Sequence, residues 1–377
     1  MRYDYIFSGM GLSTMMILYK MIQAERCSGK SILVIEPQKE RHNDRTWCFW
    51  EKGSGDWDFL LKKSWKEAYF LTEEMWVNCL GPSYEYKMIE SGTFYEFILK
   101  EIKQCEAIRI VHDKVIDFKE GLDFVSIITE RNQYETEFFF NSVLDHIAIQ
   151  NNNSYPLLQQ HFMGWFIQTE FPFFDEERVT FMDFSVFQKG NTRFMYVLPV
   201  AANKILVEYT LFSSDLLAVE EYETEIENYL KSKGITDFRI VAKEKGIIPM
   251  TSYPFWNKNT KRVLHIGSAG GWTKASTGYT FKNSEKLSNE VVDLLKKDII
   301  DFTYFKKANR FTFYDRLFVK VLYDENALGK LLFSRMFSKV KPDVILRFLD
   351  EESSFIEELK VIWACPKWPF VKALFKK

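Results

Sequence analysis

The chain opens on a short apolar run, Tyr5-Ile6-Phe7-Ser8, breaks at Gly9-Met10-Gly11, and resumes as the longer Leu12-Ser13-Thr14-Met15-Met16-Ile17-Leu18-Tyr19. The first run suits a buried strand and the second an apolar helix, so the order is strand, tight turn, helix. A second strand, Ser31-Ile32-Leu33-Val34-Ile35, ends in Glu36 and completes a βαβ unit of the length of a dinucleotide-binding half. Glycines let the backbone approach a pyrophosphate, the helix N-terminus offers it N–H groups, and a carboxylate on the next strand accepts from a ribose hydroxyl. Gly9, Gly11 and Glu36 occupy those positions, with Thr14 where Gly or Ala would give the closest helix packing. An ordinary strand-to-helix turn is the alternative reading of a bare Gly-x-Gly.

Further along, residues 51–94 are rich in Trp and charge, and a helix from Thr93 to Lys103 feeds strands near Ile108 to Val111 and Val125 to Thr129. Ser142-Val143-Leu144, closing on Asp145, is the expected last strand of that layer. From His161 to Leu211 apolar and polar residues alternate, as in Gly164-Trp165-Phe166-Ile167-Gln168-Thr169-Glu170 and Phe194-Met195-Tyr196-Val197-Leu198, which predicts an antiparallel sheet. The nucleotide-type pattern returns at Arg262-Val263-Leu264-His265-Ile266, followed by Gly267-Ser268-Ala269-Gly270-Gly271 and a helix from about Tyr279 to Lys297. From Tyr304 onward the period is helical, with Tyr314, Leu317, Phe318, Val321 and Leu322 on one face. The expected fold is mixed α/β and α+β. A discontinuous Rossmann-like nucleotide domain takes 1–50, 93–150 and 255–300, a substrate-binding sheet domain 51–92 and 151–254, and a helical C-terminal region 301–377.

Composition narrows the class. An apolar fraction of 46% with 27% charged residues is that of a folded globular chain. The net charge of −2 gives no reason to expect nucleic acid. The 35 Phe, 18 Tyr and 10 Trp supply more flat apolar surface than a core needs, which makes a large hydrophobic ligand plausible. Five scattered cysteines without a Cys-x-x-Cys pair point to reduced, mostly buried thiols, with neither a disulfide framework nor a metal site expected. No basic-then-apolar leader follows Met1, so a cytoplasmic chain is expected. The longest uncharged stretch, His146 to Thr169, is too polar to span a bilayer.

Several blocks, in order, resemble the plant-type and bacterial lycopene β-cyclases, members of a wider class of flavoproteins. They are Gly9-Met10-Gly11, Asp44-Arg45-Thr46-Trp47, Gln160-His161-Phe162-x-Gly164-Trp165, Met182-Asp183-Phe184, Phe194-x-Tyr196-Val197-Leu198-Pro199, Leu206-Val207-Glu208-x-Thr210, Glu244-x-Gly246-x-Ile248-Pro249-Met250 and Thr277-Gly278-Tyr279. The resemblance implies a flavoprotein that binds flavin adenine dinucleotide (FAD), kept reduced by NADH or NADPH, and closes β-rings on lycopene and on a monocyclic carotenoid. Gly9, Gly11, Glu36, Arg45, Gly267, Ser268, Thr277 and Gly278 would hold the cofactor, with Gly267-Ser268 standing where the class usually has Gly-Asp. The family's catalytic block places its first glutamate at Glu208 and leaves Tyr209 at its second acidic position.

The cyclisation is an isomerisation: a proton adds to a terminal alkene, the cation is attacked by a neighbouring double bond, and a different proton leaves. It needs a positioned acid or base, an anion near the cation and a dry cavity. Glu208 is the candidate acid/base, or else a surface strand glutamate paired with Lys204. Asp183 reads as a buried structural acid before a pocket group, and His161 as a core residue. Arg45 reaches either the cofactor phosphates or a surface carboxylate. The C-terminal run from Val361 mixes Trp, Phe and Lys, either as a segment lying on the inner face of the cell membrane or as a docked helix. Two other readings share the fold: a redox flavoprotein (monooxygenase, halogenase or prenyl reductase) and a non-catalytic carotenoid carrier.

Overall fold

The computed structural model describes residues 2–152, 154–297, 299–305 and 307–375, and the chain falls into two compact units. The first comprises Met1–Trp47, Glu90–Asn152 and Tyr253–Arg310. Its parallel strands run in the order Ile108–Val111, Ile32–Ile35, Arg2–Ser8, Gln133–Asn141, with Phe7 opposite Val34 on one side and Phe140 on the other. Val263–His265 joins the far side of Gln133–Asn141 in parallel, and an antiparallel ribbon, Val125–Thr129 with Val115–Glu120, pairs with that strand's first half. Ile32–Ile35 is buried at every position, the pattern of a strand covered on both faces.

The helix Leu12–Gln23 packs against Phe281–Leu294 through small residues, Ser13 Oγ lying 3.2 Å from Ser284 Oγ. Thr14 is fully buried at the third fingerprint position. The layer's strand is Gln133–Asn141 rather than the expected Ser142–Leu144. The ladder stops there because the Asn141 side chain turns back onto the Val143 N–H and Ser142 Oγ donates to the Ser8 carbonyl at 2.6 Å.

The second unit comprises Cys48–Ile89, Asn153–Ser252 and Phe311–Lys377. Its seven-stranded sheet has the order Arg239–Met250, Leu158–Gln168, Lys204–Ser213, Thr192–Ala201, Arg178–Asp183, Glu67–Leu71, Trp76–Asn78. Neighbours are antiparallel except Arg178–Asp183 with Glu67–Leu71. Alternation sorts the side chains onto two faces. One face presents Trp165, Ile167, Met195, Val207, Tyr209 and Leu211 to the helix Val219–Ser232, forming an apolar core. The other carries Phe166, Phe194, Leu206, Glu208 and Thr210.

That second face is covered by two elements. A small sheet, ordered Thr46–Lys52, Tyr84–Glu90, Lys63–Trp65, meets it where the Trp65 indole N–H donates to the Pro199 carbonyl at 3.1 Å. The helix Gly329–Lys339 brings Phe333 against Phe184 and Phe212. Its first residue is glycine because a Cβ there would lie 1.9 Å from Thr192 Oγ1.

Toward the C-terminus the described residues also form the α-helices Arg310–Asp324, Pro342–Leu349, Phe355–Ala364 and Lys367–Phe375. In the first of these the buried stripe is Phe311, Asp315, Val319, Val321 and Leu322, rotated from the expected one. Tyr314 is drawn to the side instead, stacking on Phe348 and donating to Glu358 Oε2 at 2.9 Å. Among the described residues no helix is long and apolar enough to cross a membrane.

Candidate functional site

In the first unit the turn Gly9-Met10-Gly11 forms a cradle. Gly9 has φ +81 and a Cβ there would sit 2.3 Å from Ser142 Oγ, so only glycine fits. Gly11 differs: its backbone is ordinary, and a Cβ would meet nothing within 4 Å. It begins a helix that no side chain caps, leaving open space over the helix N-terminus. Such a place suits a diphosphate.

Glu36, almost fully buried, ties the cradle together. Its Oε2 accepts from the Met10 N–H at 2.7 Å and from Arg41, and its Oε1 accepts from the Gln38 N–H at 2.9 Å. Arg41 was not singled out from the sequence. Only its spacing of five residues from Glu36 hinted at it. Gly267, with φ +57, brings the second glycine block to the same helix, its Cβ position 3.0 Å from Ser13 Oγ. Ser268 next to it is exposed.

Thr277 and Gly278 form a separate tight turn. The Gly278 N–H donates to the Lys274 carbonyl at 2.9 Å, and Gly278 has φ +73. Arg45 is exposed, and its backbone rather than its side chain clasps Ser91, donating to Oγ at 2.9 Å and accepting from the Ser91 N–H. Gly9, Gly11, Glu36 and Gly267 therefore converge, Thr277 and Gly278 shape a second loop, and Arg45 lies with Arg41 near Tyr95. The convergent set fits a dinucleotide.

The second unit holds the buried acids Glu208 and Asp183. Glu208 lies mid-strand on the aromatic face of the sheet, 7% exposed. Its neighbour on one side is Tyr196, whose hydroxyl lies 2.7 Å from that of Tyr86. The Cys48 thiol bonds to both tyrosines, and burial pushes it up to about 12. On the other side stands Gly164, and beyond Gly164, one strand further, Glu244.

A Cβ on Gly164 would lie 2.8 Å from Leu206 Cδ1, 3.3 Å from Glu244 Cγ and 3.5 Å from Glu208 Cβ. Leu206 and the stems of the two glutamates thus border the space that the glycine leaves. One row along, the Phe162 ring lies on Gly246, where a Cβ would come within 2.4 Å of it. Burial, then repulsion from Glu244, raises the Glu208 carboxyl to about 8 against the bond it accepts from Thr210 Oγ1 at 2.5 Å.

Tyr209 faces away into the core, its hydroxyl accepting from Arg193 Nη1 at 2.8 Å, so the position after Glu208 could not have placed an acid beside it. The spatial neighbour is Glu244, seen in the sequence only as part of a block. Asp183 is buried among partners, accepting from the Tyr229 hydroxyl at 2.9 Å, Lys233 Nζ at 3.2 Å and the Ser185 N–H at 2.9 Å. His161 lies between Ser213 Oγ at 2.7 Å and the Tyr222 hydroxyl at 2.5 Å, and burial lowers it to about 4. Both are structural groups.

Comparison with known proteins bears on this arrangement. Residues 4–375 match the family model described as lycopene cyclase protein. A lycopene beta-cyclase of Paracoccus sp. (strain N81106 / MBIC 01143) is 25% identical over 252 residues, covering 62% of this chain and 63% of that protein, somewhat under two thirds of its length. Among solved structures, a geranylgeranyl bacteriochlorophyll reductase-like protein from Thermoplasma acidophilum superposes with TM-score 0.60 at 12% identity, covering 99% and 98% of the two chains. A mutant of the halogenase PltM in complex with FAD gives 0.62 at 11% identity, covering 98% and 87%. The p-nitrophenol 4-monooxygenase PnpA of Pseudomonas putida DLL-E4 gives 0.57 at 9%, covering 96% and 97%. The fold is that of these proteins, and with nearly its whole length matched the chain belongs to the lycopene cyclase family.

Proposed function

We propose that the protein is a lycopene β-cyclase, an intramolecular lyase that converts lycopene through a monocyclic carotenoid to a β-ringed product with no net redox change. The observation that carries the reading is Glu208, a buried carboxyl on an aromatic face whose proton is retained near neutral pH, in a chain of this family. A protonated carboxyl in a dry site is a competent general acid toward an alkene. The rings of Phe162, Phe166 and Tyr196 on the same face offer π-electron density to a carbocation and exclude water from it.

Gly9, Gly11, Glu36 and Gly267, with Ser268 and the Thr277-Gly278 turn, would hold FAD, and the exposed Arg45 could reach its phosphates. When bound and reduced by NADH or NADPH, the flavin supplies a negative charge able to stabilise a cation. The substrate partners are bilayer hydrocarbons, so the reading includes peripheral association with the inner face of the cell membrane. The nine exposed apolar residues between Phe355 and Phe375 support it.

Expression in a lycopene-accumulating host, with chromatography of the pigments, tests the proposal. β-Ringed products that also form in reduced enzyme under strict anaerobiosis are expected, while unchanged lycopene, or products that require oxygen, would overturn it.

A further inference from the structure

Three groups donate to the Glu36 carboxylate. Its Oε2 accepts from the Met10 N–H at 2.7 Å and from Arg41 Nη2, and its Oε1 accepts from the Gln38 N–H at 2.9 Å. A carboxylate offers about four lone-pair positions, so one acceptor position is left over, on Oε1. The two side chains are well buried, Glu36 at 7% and Arg41 at 14% exposure.

Arg41 has the opposite surplus. It spends Nη2 on Glu36, while its Nε–H is buried and meets no acceptor among the described residues. A buried donor on a cation is costly to leave unpaired. Asp44, on the same loop, is committed elsewhere, accepting from the Tyr95 hydroxyl and, at 3.2 Å, from Ser91 Oγ.

The guanidinium is also held in place. It lies over the Tyr95 ring, with Cζ 5.4 Å from the ring centre. Tyr95 belongs to the helix Ser91–Gln104, and the loop that carries Arg41 is tied to the start of that helix. There the Gly92 N–H donates to Asn43 Oδ1 at 3.0 Å and the Arg45 N–H to Ser91 Oγ at 2.9 Å. Covalent geometry keeps Nε and Oε1 close to the bond that joins their own side chains. One spare donor and one spare acceptor therefore stand together at the end of the strand Ile32–Ile35, beside the Gly9-Met10-Gly11 turn.

We infer that Arg41 is a specificity residue of the dinucleotide site, its Nε donating to an adenosine ribose hydroxyl while Glu36 Oε1 accepts from one. A hydroxyl both donates and accepts, so a ribose diol answers the two spare positions at once. A 2′-phosphate answers them poorly, because Glu36 already neutralises Arg41 and would face a dianion. The inference rests on the FAD reading of the cradle and gives this chain's Arg41 a contact that its glycine fingerprint does not mark.

Calorimetric titration of the full-length protein, parent and Arg41→Met, tests it with three ligands: FAD, and FAD built on 2′-deoxyadenosine or on 3′-deoxyadenosine. Arg41→Met should weaken FAD about tenfold or more. With at least one deoxy form, parent and variant should bind within about threefold of each other, since the contact is already gone. Arg41→Lys keeps the charge but not the planar fork. It should show the same selective loss, and it carries the comparison if the Met variant misfolds.

An equal loss on all three ligands, or rescue by Lys, would make Arg41 a structural partner of Glu36 and overturn the inference. FAD binding unaffected by Arg41→Met would overturn it too, with the FAD site left standing. If the parent binds no FAD, ADP and 2′- and 3′-deoxy-ADP take its place. Selective loss there keeps the ribose contact and removes FAD, and no ADP binding ends both. Ring formation enters none of these readouts, so the cyclase reading stands or falls separately.

Discussion

At the scale of single residues, the two glycines of the first turn separate folding from ligand binding. Gly9→Ala places a side chain in left-handed backbone and against Ser142 Oγ, so it should destabilise the first unit by more than about 1 kcal/mol. Gly11→Val adds a side chain whose Cβ meets no protein atom within 4 Å. It should leave thermal unfolding nearly unchanged while abolishing flavin retention, and normal flavin absorbance in the purified variant would exclude the cradle. Glu208→Gln keeps volume and polarity but removes the exchangeable proton. The variant should fold, bind flavin and lose about 10²-fold or more in cyclisation, and activity within about threefold of the parent would make Glu208 structural. Its stability carries a sign as well. The folded pKa is raised to about 8, so the native state holds a proton that the unfolded state gives up near 4.5. The stability tied to that proton is whole at low pH and is lost as pH rises through 8. The Gln variant should therefore gain in Tm over the parent between pH 5 and pH 8, a comparison that scanning calorimetry reads directly.

At the scale of elements, what was legible in the sequence followed from periodicity. The fingerprint βαβ unit and the antiparallel sheet are written in runs and alternations that local sterics impose. The Gln133–Asn141 strand escaped because its charged first half, Gln133 to Glu137, hides a strand whose apolar half is Phe138-Phe139-Phe140. Glu208 was legible through its apolar neighbours and its block. That Glu244 stands two strands away, across Gly164, was not, because this neighbourhood depends on register across a third strand and on Gly164, which looks like an ordinary strand glycine until its neighbours are known. Arg41 and the Tyr222–His161–Ser213 chain were hidden for the same reason: partners come from elements distant in sequence. That chain has a measurable consequence. His161 and, in the other unit, His265 are each lowered by burial to about 4. A lowered histidine contributes stability that is whole above 6.5 and is lost as pH falls toward 4, at most about 3 kcal/mol per residue by linkage. Stability measured by denaturant titration should fall over that window, and His161→Gln should flatten part of the slope. A slope unchanged by the substitution would mean that His161 is not buried as a neutral ring.

At the scale of the whole molecule, the C-terminal helices invert the usual rule of burial. The helix Phe355–Ala364, started by a Ser354–Glu357 capping box, buries Glu358, which accepts from the Tyr314 hydroxyl. It turns Phe355, Ile356, Leu359, Ile362 and Trp363 to the outside. Those positions follow i, i+1, i+4, i+7 and i+8, one continuous stripe. The helix Lys367–Phe375 adds Trp368, Val371, Leu374 and Phe375, and Lys367 Nζ lies over the Trp363 ring. Single exposed apolar residues need no explanation, but a stripe of this length costs free energy in water and calls for a cover. Trp and Phe with lysines beside them suit the boundary of a bilayer, where indoles sit at the headgroups and lysines reach anionic phosphates. The substrate of the proposed reaction dissolves in that same bilayer, so a surface resting on it would shorten the path of the polyene to Glu208. Trp363→Glu with Trp368→Glu places two charges on the stripe without touching Glu358, Val361 or Ala364, which hold the helix to the body. The double variant should keep its Tm and its turnover of detergent-dispersed lycopene, while sedimentation with vesicles containing phosphatidylglycerol falls at least tenfold. Unchanged sedimentation would remove the membrane from this face and leave a second copy of the chain as its cover, which a concentration-dependent change in mass would then reveal.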